Sequence, residues 1–175
     1  MTLSHTRLAL LASLAFSACS SNPVTLTPRS ASSAQDVAFL NFAAQSSNSE
    51  IAAANVALKQ STNQQVIAYA NQMIADHDNA NASEASFAPS VGVTPPTTPD
   101  PNEAAKLATY QSQTGVAFDQ AYAADQAAAH QNTIQQFTVE LQSGKNSAAL
   151  AFAKAQLPIL TNHLSGAQAI VSSGQ

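Results

Sequence analysis

The sequence predicts an all-α domain in which four long helices pack as a bundle. Three observations carry this reading. Apolar residues make up 45% of the chain, and nearly half of them are Ala, the best helix former and one that lets helix axes approach closely. Apolar positions recur at helical spacing over stretches far longer than an ordinary strand. Gly is scarce and Pro is gathered into a few places, so most helix breakers fall between those stretches.

The chain opens on an address. Residues 1–18 read as a signal peptide, with Arg7 as the positive end, Leu8 to Phe16 as the apolar run and Ala18 as the small residue before a cut. That run is too short to span a bilayer, which takes about 20 residues. Cys19 follows, the only cysteine in the chain. The stretch Ala15-Phe16-Ser17-Ala18-Cys19 resembles a bacterial lipobox, with Phe16 where Leu is usual. The expectation is a lipid on Cys19 that holds the protein to a membrane, with ordinary cleavage near Ala18 as the alternative. Residues 19–33 then form a tether and residues 34–172 the helical domain. The protein is expected on the periplasmic side of a bacterial membrane, with the outer membrane favoured.

Helix one is expected from Ala34 to Lys59. Ser33 and Asp36 make a capping box, and Val37, Leu40, Ala44, Ser47, Ile51, Ala54 and Leu58 recur at helical spacing. Helix two is expected from Asn63 to Phe87, capped by Thr62 with Gln65 and ended by Pro89. Residues 88–101 carry five prolines. A short helix should follow, with Asp100 as cap and Pro101 at its first position. Helix three should run from Val116 to Gln142 and stop at Gly144. Helix four starts after Asn146 and holds Pro158 in its interior. Connections one-two and three-four are tight, so each pair should be an antiparallel hairpin. The connection from two to three is long enough to travel back along the bundle, making helix three parallel to helix two. That is a ferritin-like topology; a plain up-down-up-down bundle is the alternative.

Several short stretches resemble a known family when taken in order. They are Asp36-Val37-Ala38-Phe39-Leu40, Glu50-Ile51, Met73-Ile74-Ala75-Asp76-His77, Phe118-Asp119-Gln120-Ala121-Tyr122, His130, and Leu157-Pro158 followed by His163. Together they are similar to the bacterial domain of unknown function 4142, over about residues 35–171. The resemblance implies an exported protein with a ferritin-like fold. It implies no activity, because the family carries none that is established.

Charge removes one function class. Charged residues are 9% of the chain and the net charge is −4, with no basic run. Nucleic-acid binding needs Lys and Arg to displace counterions, so that class is set aside. There is no phosphate-cradling Gly loop and no nucleophile elbow.

The candidate site is a set of histidines and one glutamate. Beyond His5 in the signal peptide, the histidines are His77, His130 and His163, one on each of helices two, three and four, while helix one brings Glu50. Counted from the helix ends, all four fall within about 6 Å of height. His77 continues the stripe of Val66, Ala70 and Met73. His130 continues that of Phe118, Tyr122 and Gln126, and His163 stands with Leu160, Ala167 and Ile170. Glu50 lies beside the Ser47, Ile51, Ala54 stripe. Three imidazoles and a carboxylate suit one transition-metal ion, Zn, Cu or Fe. They would equally form a satisfied polar network. A di-iron site is disfavoured, because Ile74 and Leu160 stand where a ferritin places glutamates three residues before His. Asp76 and Asp78 read as a solvated face, with Asp76 as a partner of a histidine the alternative. The leading expectation is a non-catalytic binding or stress-related accessory protein of the cell envelope; the alternative is a metalloprotein with a mononuclear His/Glu site.

Overall fold

The computed structural model describes residues 31–110 and 112–174. The expected signal peptide, Cys19 and the tether up to residue 30 lie outside the described residues. The domain is all-α, as the sequence predicts. The described residues form five helices, α1 (Ala34–Gln60), α2 (Gln64–Val91), α3 (Pro101–Tyr110), α4 (Gly115–Ser143) and α5 (Ser147–Ser173), and no strand.

Most helix ends follow from local chemistry. The Ser33 hydroxyl accepts from the Asp36 N–H at 3.2 Å, and the Asp36 carboxylate accepts in return from the Ser33 N–H at 2.5 Å. The cap of α2 is Asn63 rather than Thr62, its side chain accepting from the Gln65 N–H at 2.9 Å. Pro89 does not end α2. It removes one backbone donor when little helix remains, and the true stop is Gly92 at φ 88. There the Gly92 N–H donates to the Pro89 carbonyl at 3.2 Å and the Val93 N–H to the Ala88 carbonyl at 3.0 Å. This paired closure brings Val93 into the same apolar cluster as Ala88. Gly144 does follow α4, but not through a left-handed turn, since its φ is −63. Glycine is needed for space: a Cβ there would stand 2.7 Å from the Glu140 carbonyl oxygen.

The long helices pack in a ring, α1 on α2, α2 on α5, α5 on α4 and α4 on α1. The core has two halves, one at each end. One joins Ala53, Ala57, Val66, Met73, Phe118, Tyr122 and Ile170. The other joins Phe39, Leu40, Val91, Phe137, Phe152 and Leu160. The starts of α2 and α4 therefore share one end, and α2 and α4 run the same way. The connection between them returns along the side of α1. Asn48 donates to the Pro96 carbonyl at 2.9 Å, and the Asp100 N–H donates to Ser49 Oγ at 3.2 Å. Lys106 on α3 then reaches Asp125 on α4 at 3.0 Å. Among the described residues, no helix is long and apolar enough to cross a membrane.

The capping residue of α1 also ties the two hairpins together. Asp36 is fully buried, and its second oxygen accepts the Lys145 and Asn146 N–H groups at 2.8 and 2.9 Å. Burial raises its pKa, but the hydrogen bonds from Asn146, Ser33 and Lys145 outweigh burial and hold the carboxyl well below the ordinary carboxylate range. A carboxylate placed for a local cap thus fixes the α4–α5 turn against the start of α1.

Candidate metal centre

The middle of the helix ring, between the two apolar halves, is polar. His77 from α2, His130 from α4 and His163 from α5 all point into it, with relative exposures of 5%, 1% and 1%. Their ring centroids lie 5.9 Å (77 to 130), 5.3 Å (77 to 163) and 5.2 Å (130 to 163) apart. One nitrogen from each ring lies within 4.8 Å of the others.

Each imidazole has one nitrogen committed to an acceptor. His130 Nδ1 donates to the Gln126 carbonyl at 2.8 Å. His163 Nε2 donates to Asp76 Oδ2 at 2.9 Å. The Ser47 hydroxyl gives its own proton to the His77 carbonyl at 3.1 Å, so it accepts from His77 Nδ1 at 3.2 Å. These partners assign the tautomers. In the neutral rings the remaining atoms, His77 Nε2, His130 Nε2 and His163 Nδ1, carry lone pairs. All three are buried and have no hydrogen-bond partner among the described residues.

The electrostatics keep at least two of the rings neutral. Burial, then the neighbouring His130 and His163, hold His77 well below its ordinary value. Burial first, and the neighbouring His163 after it, bring His130 down to about 4 against its bond to the Gln126 carbonyl. A neutral imidazole is the form that binds a metal. A tetrahedral ion with nitrogens at about 2.0–2.1 Å needs them about 3.4 Å apart, so rings at the observed limit would each shift inward by roughly 0.8 Å. That is within reach of small side-chain rotations.

Of the four residues singled out from sequence, the structure brings together the three histidines. Glu50 lies outside their cluster. Ser47 is 14 residues before Ser61 and His77 is 14 after Asn63, so these two are level across the α1–α2 hairpin. Glu50 stands one turn nearer the hairpin, about 4–5 Å along the axis. It borders a groove of about 360 Å³ between α1, α3 and α4, shared with Ser49, Asp100, Glu103 and Lys106. Burial pushes its carboxyl up to about 8, partly offset by a hydrogen bond from Gln126.

Sequence reasoning assigned no role to Ser47 or to the Gln126 carbonyl, and read Asp76 first as a solvated face and only in the alternative as a histidine partner, which it is. Equal counts from the α1–α2 turn would have found Ser47. Gln126 lies four residues before His130, the spacing at which a helical side chain meets a carbonyl of the preceding turn. Asp76 is partly exposed, yet it closes over His163 from α2, an approach set by the packing of α2 on α5. Asp78 is exposed.

An all-helical domain with a buried cluster of three imidazoles, each oriented by its own acceptor, is the class of protein defined here. The chain belongs to the family described as a domain of unknown function (DUF4142), whose model matches residues 22–170. The crystal structure of a DUF305 fragment from Deinococcus radiodurans is similar to it in fold, with a TM-score of 0.72 at 13% identity over 81% of this chain and 98% of that one. No curated protein matches the chain.

Proposed function

We propose that this is an exported accessory protein of the bacterial cell envelope that binds one transition-metal ion, Zn, Cu or Fe, through His77, His130 and His163. One observation supports this above all: one nitrogen from each of the three buried rings lies within 4.8 Å of the others, and each ring has one nitrogen held by an acceptor and one with no hydrogen-bond partner among the described residues. Buried lone pairs left without donors are costly, and a metal ion satisfies all three at once. The acceptors are what orients metal-bound histidines and raises their basicity. A closed polar network would instead place direct hydrogen bonds near 2.8 Å between the rings. The surrounding scaffold is, in this reading, a four-helix bundle of the ferritin-like kind, with α3 lying in its crossover. The role is binding rather than catalysis.

The test is metal analysis of protein purified without an affinity tag, followed by titration with Zn²⁺. One ion per chain is expected. A chain that stays metal-free at micromolar Zn²⁺ returns the cluster to a purely structural role.

The same reading places the protein on a membrane through a lipid on Cys19, with the outer membrane favoured. Cys19→Ala should move it from the membrane pellet into the soluble exported fraction. Unchanged retention of that variant would remove the lipid anchor from the proposal.

A further inference from the structure

Glu84 lies on α2, two turns beyond His77, and is 1% exposed. Its Oε1 has no hydrogen-bond partner among the described residues. A buried carboxylate with an unused oxygen is costly in a packed helix interior. None of the interactions that hold the histidine rings uses it.

Its surroundings give it a role. On its inner side is a cavity of about 20 Å³, bordered by Ser47, His77, Asn81, Glu84 and Thr133. That is room for one water molecule, or for an ion of similar size. On its outer side is a surface groove of about 320 Å³, walled by Asn48, Ala85 and the crossover residues Pro95, Pro96 and Thr97. Asn81 and Glu84 border both spaces. The amide nitrogen of Asn81 is committed to Asn48 at 3.2 Å, and Asn48 is itself bonded to the Pro96 carbonyl at 2.9 Å. The carbonyl oxygen of Asn81 is thereby left as a further oxygen donor beside the carboxylate. The small cavity also meets the acidic groove beyond Glu50, but there the shared residues are Ser46 and Thr133, whose hydroxyls are bonded to each other at 3.1 Å. No ionisable side chain borders both spaces on that side.

We propose that Glu84, with Asn81, is the transit ligand through which a divalent metal ion passes from the groove under residues 95–97 to the three histidines. This rests on the metal-site reading above. A bare cation crossing an apolar helix interface meets a steep desolvation barrier, and a carboxylate half-way offsets it. Oxygen donors hold the ion loosely, and imidazole holds borderline ions such as Zn²⁺ more firmly, so the hand-over runs inward to His77.

The experiment follows Co²⁺ loading of the full metal-free chain by stopped flow, reading the visible absorbance of the bound ion. Glu84→Gln keeps the shape and removes the proton whose release would give the passing ion a carboxylate ligand. It should slow both loading and release by about tenfold or more, with the final spectrum and equilibrium affinity unchanged. Glu84→Asp, which keeps the carboxylate, should load faster than the glutamine variant. Equal loading rates in wild type and Glu84→Gln overturn the transit role and leave the histidine site standing. So does a weakened affinity at an unchanged loading rate, which would make Glu84 a ligand. Loading that slows in Thr133→Val but not in Glu84→Gln also overturns it and moves the entrance to the Ser46 side. Wild-type protein that takes up no Co²⁺ at equilibrium overturns both readings together.

Discussion

His130→Ala should abolish metal-dependent stabilisation while leaving a folded domain. With Zn²⁺ at about a hundred times its dissociation constant, wild-type protein gains roughly 2.7 kcal/mol, or about 8 °C in Tm for a domain of this size. The variant should melt at the same temperature with and without metal. Its metal-free form should also lose stability, by roughly 1–3 kcal/mol, because the Gln126 carbonyl loses its donor and a cavity opens. The comparison is made by differential scanning calorimetry with Zn²⁺ and with chelator. A polar network predicts a different result, the same loss under both conditions and no zinc effect on wild type. If His130→Ala keeps the full zinc increment, His77 and His163 bind the ion without it, and the three-ligand geometry is wrong.

The metal-free protein should become markedly less stable between pH 5.5 and pH 8. Burial pushes Glu50 and Glu84 up to about 8. Glu140 is pushed up to about 7, by burial first and then by the neighbouring Asp36. A carboxyl whose folded pKa is raised keeps its proton in the native state and releases it on unfolding. Its contribution is therefore fully present below the unfolded pKa and is lost as pH rises through the folded value. Each fully buried group should account for about 2 kcal/mol of that loss. The histidines act in the opposite direction. His77 and His130 are held down when folded, so the unfolded chain takes up protons first, and stability falls as pH drops from the ordinary histidine value to about 4. The two trends leave a maximum between about pH 5 and 6.5. Urea midpoints at pH 5.5 and 8 measure the alkaline limb, and Glu84→Gln should flatten it by removing one of its causes. Equal midpoints at the two pH values would mean that these carboxyls are already solvated in the native state.

The histidine site and its surroundings were legible to different depths. Helical phase placed His77, His130 and His163 on inward faces, because each continues an apolar stripe on its own helix. Similar height came from counting residues along four helices of similar length. The exclusion of Glu50 was not legible, since a difference of one turn is smaller than the uncertainty in where a helix begins. Asp76 as a partner of a histidine was legible only as an alternative to a solvated face, and that the partner is His163 was not legible. Next to His77 in sequence, it looks like solvent-facing charge, and only the packing of α5 on α2 supplies its donor.

The sequence by itself determined most of what depends on one helix at a time, although it put the cap of α2 at Thr62 rather than Asn63 and its end at Pro89 rather than Gly92. The capping box of Ser33 and Asp36, the cap at Asn146, the inward stripes and the long span between α2 and α4 are all local, because they follow from hydrogen bonds and periodicity within a few residues. The tertiary structure decided what depends on two helices together. It chose which N–H groups complete the shell of Asp36, although Lys145 and Asn146 lie more than a hundred residues away. It set which acceptor holds each imidazole, brought one nitrogen of each ring within 4.8 Å of the others, and gave Glu84 a cavity on one side and a groove on the other. Periodicity fixes where a side chain stands on its own helix. Its partner is fixed by the relative height and rotation of the neighbouring helix, which the crossover and the packing of the two apolar halves set jointly.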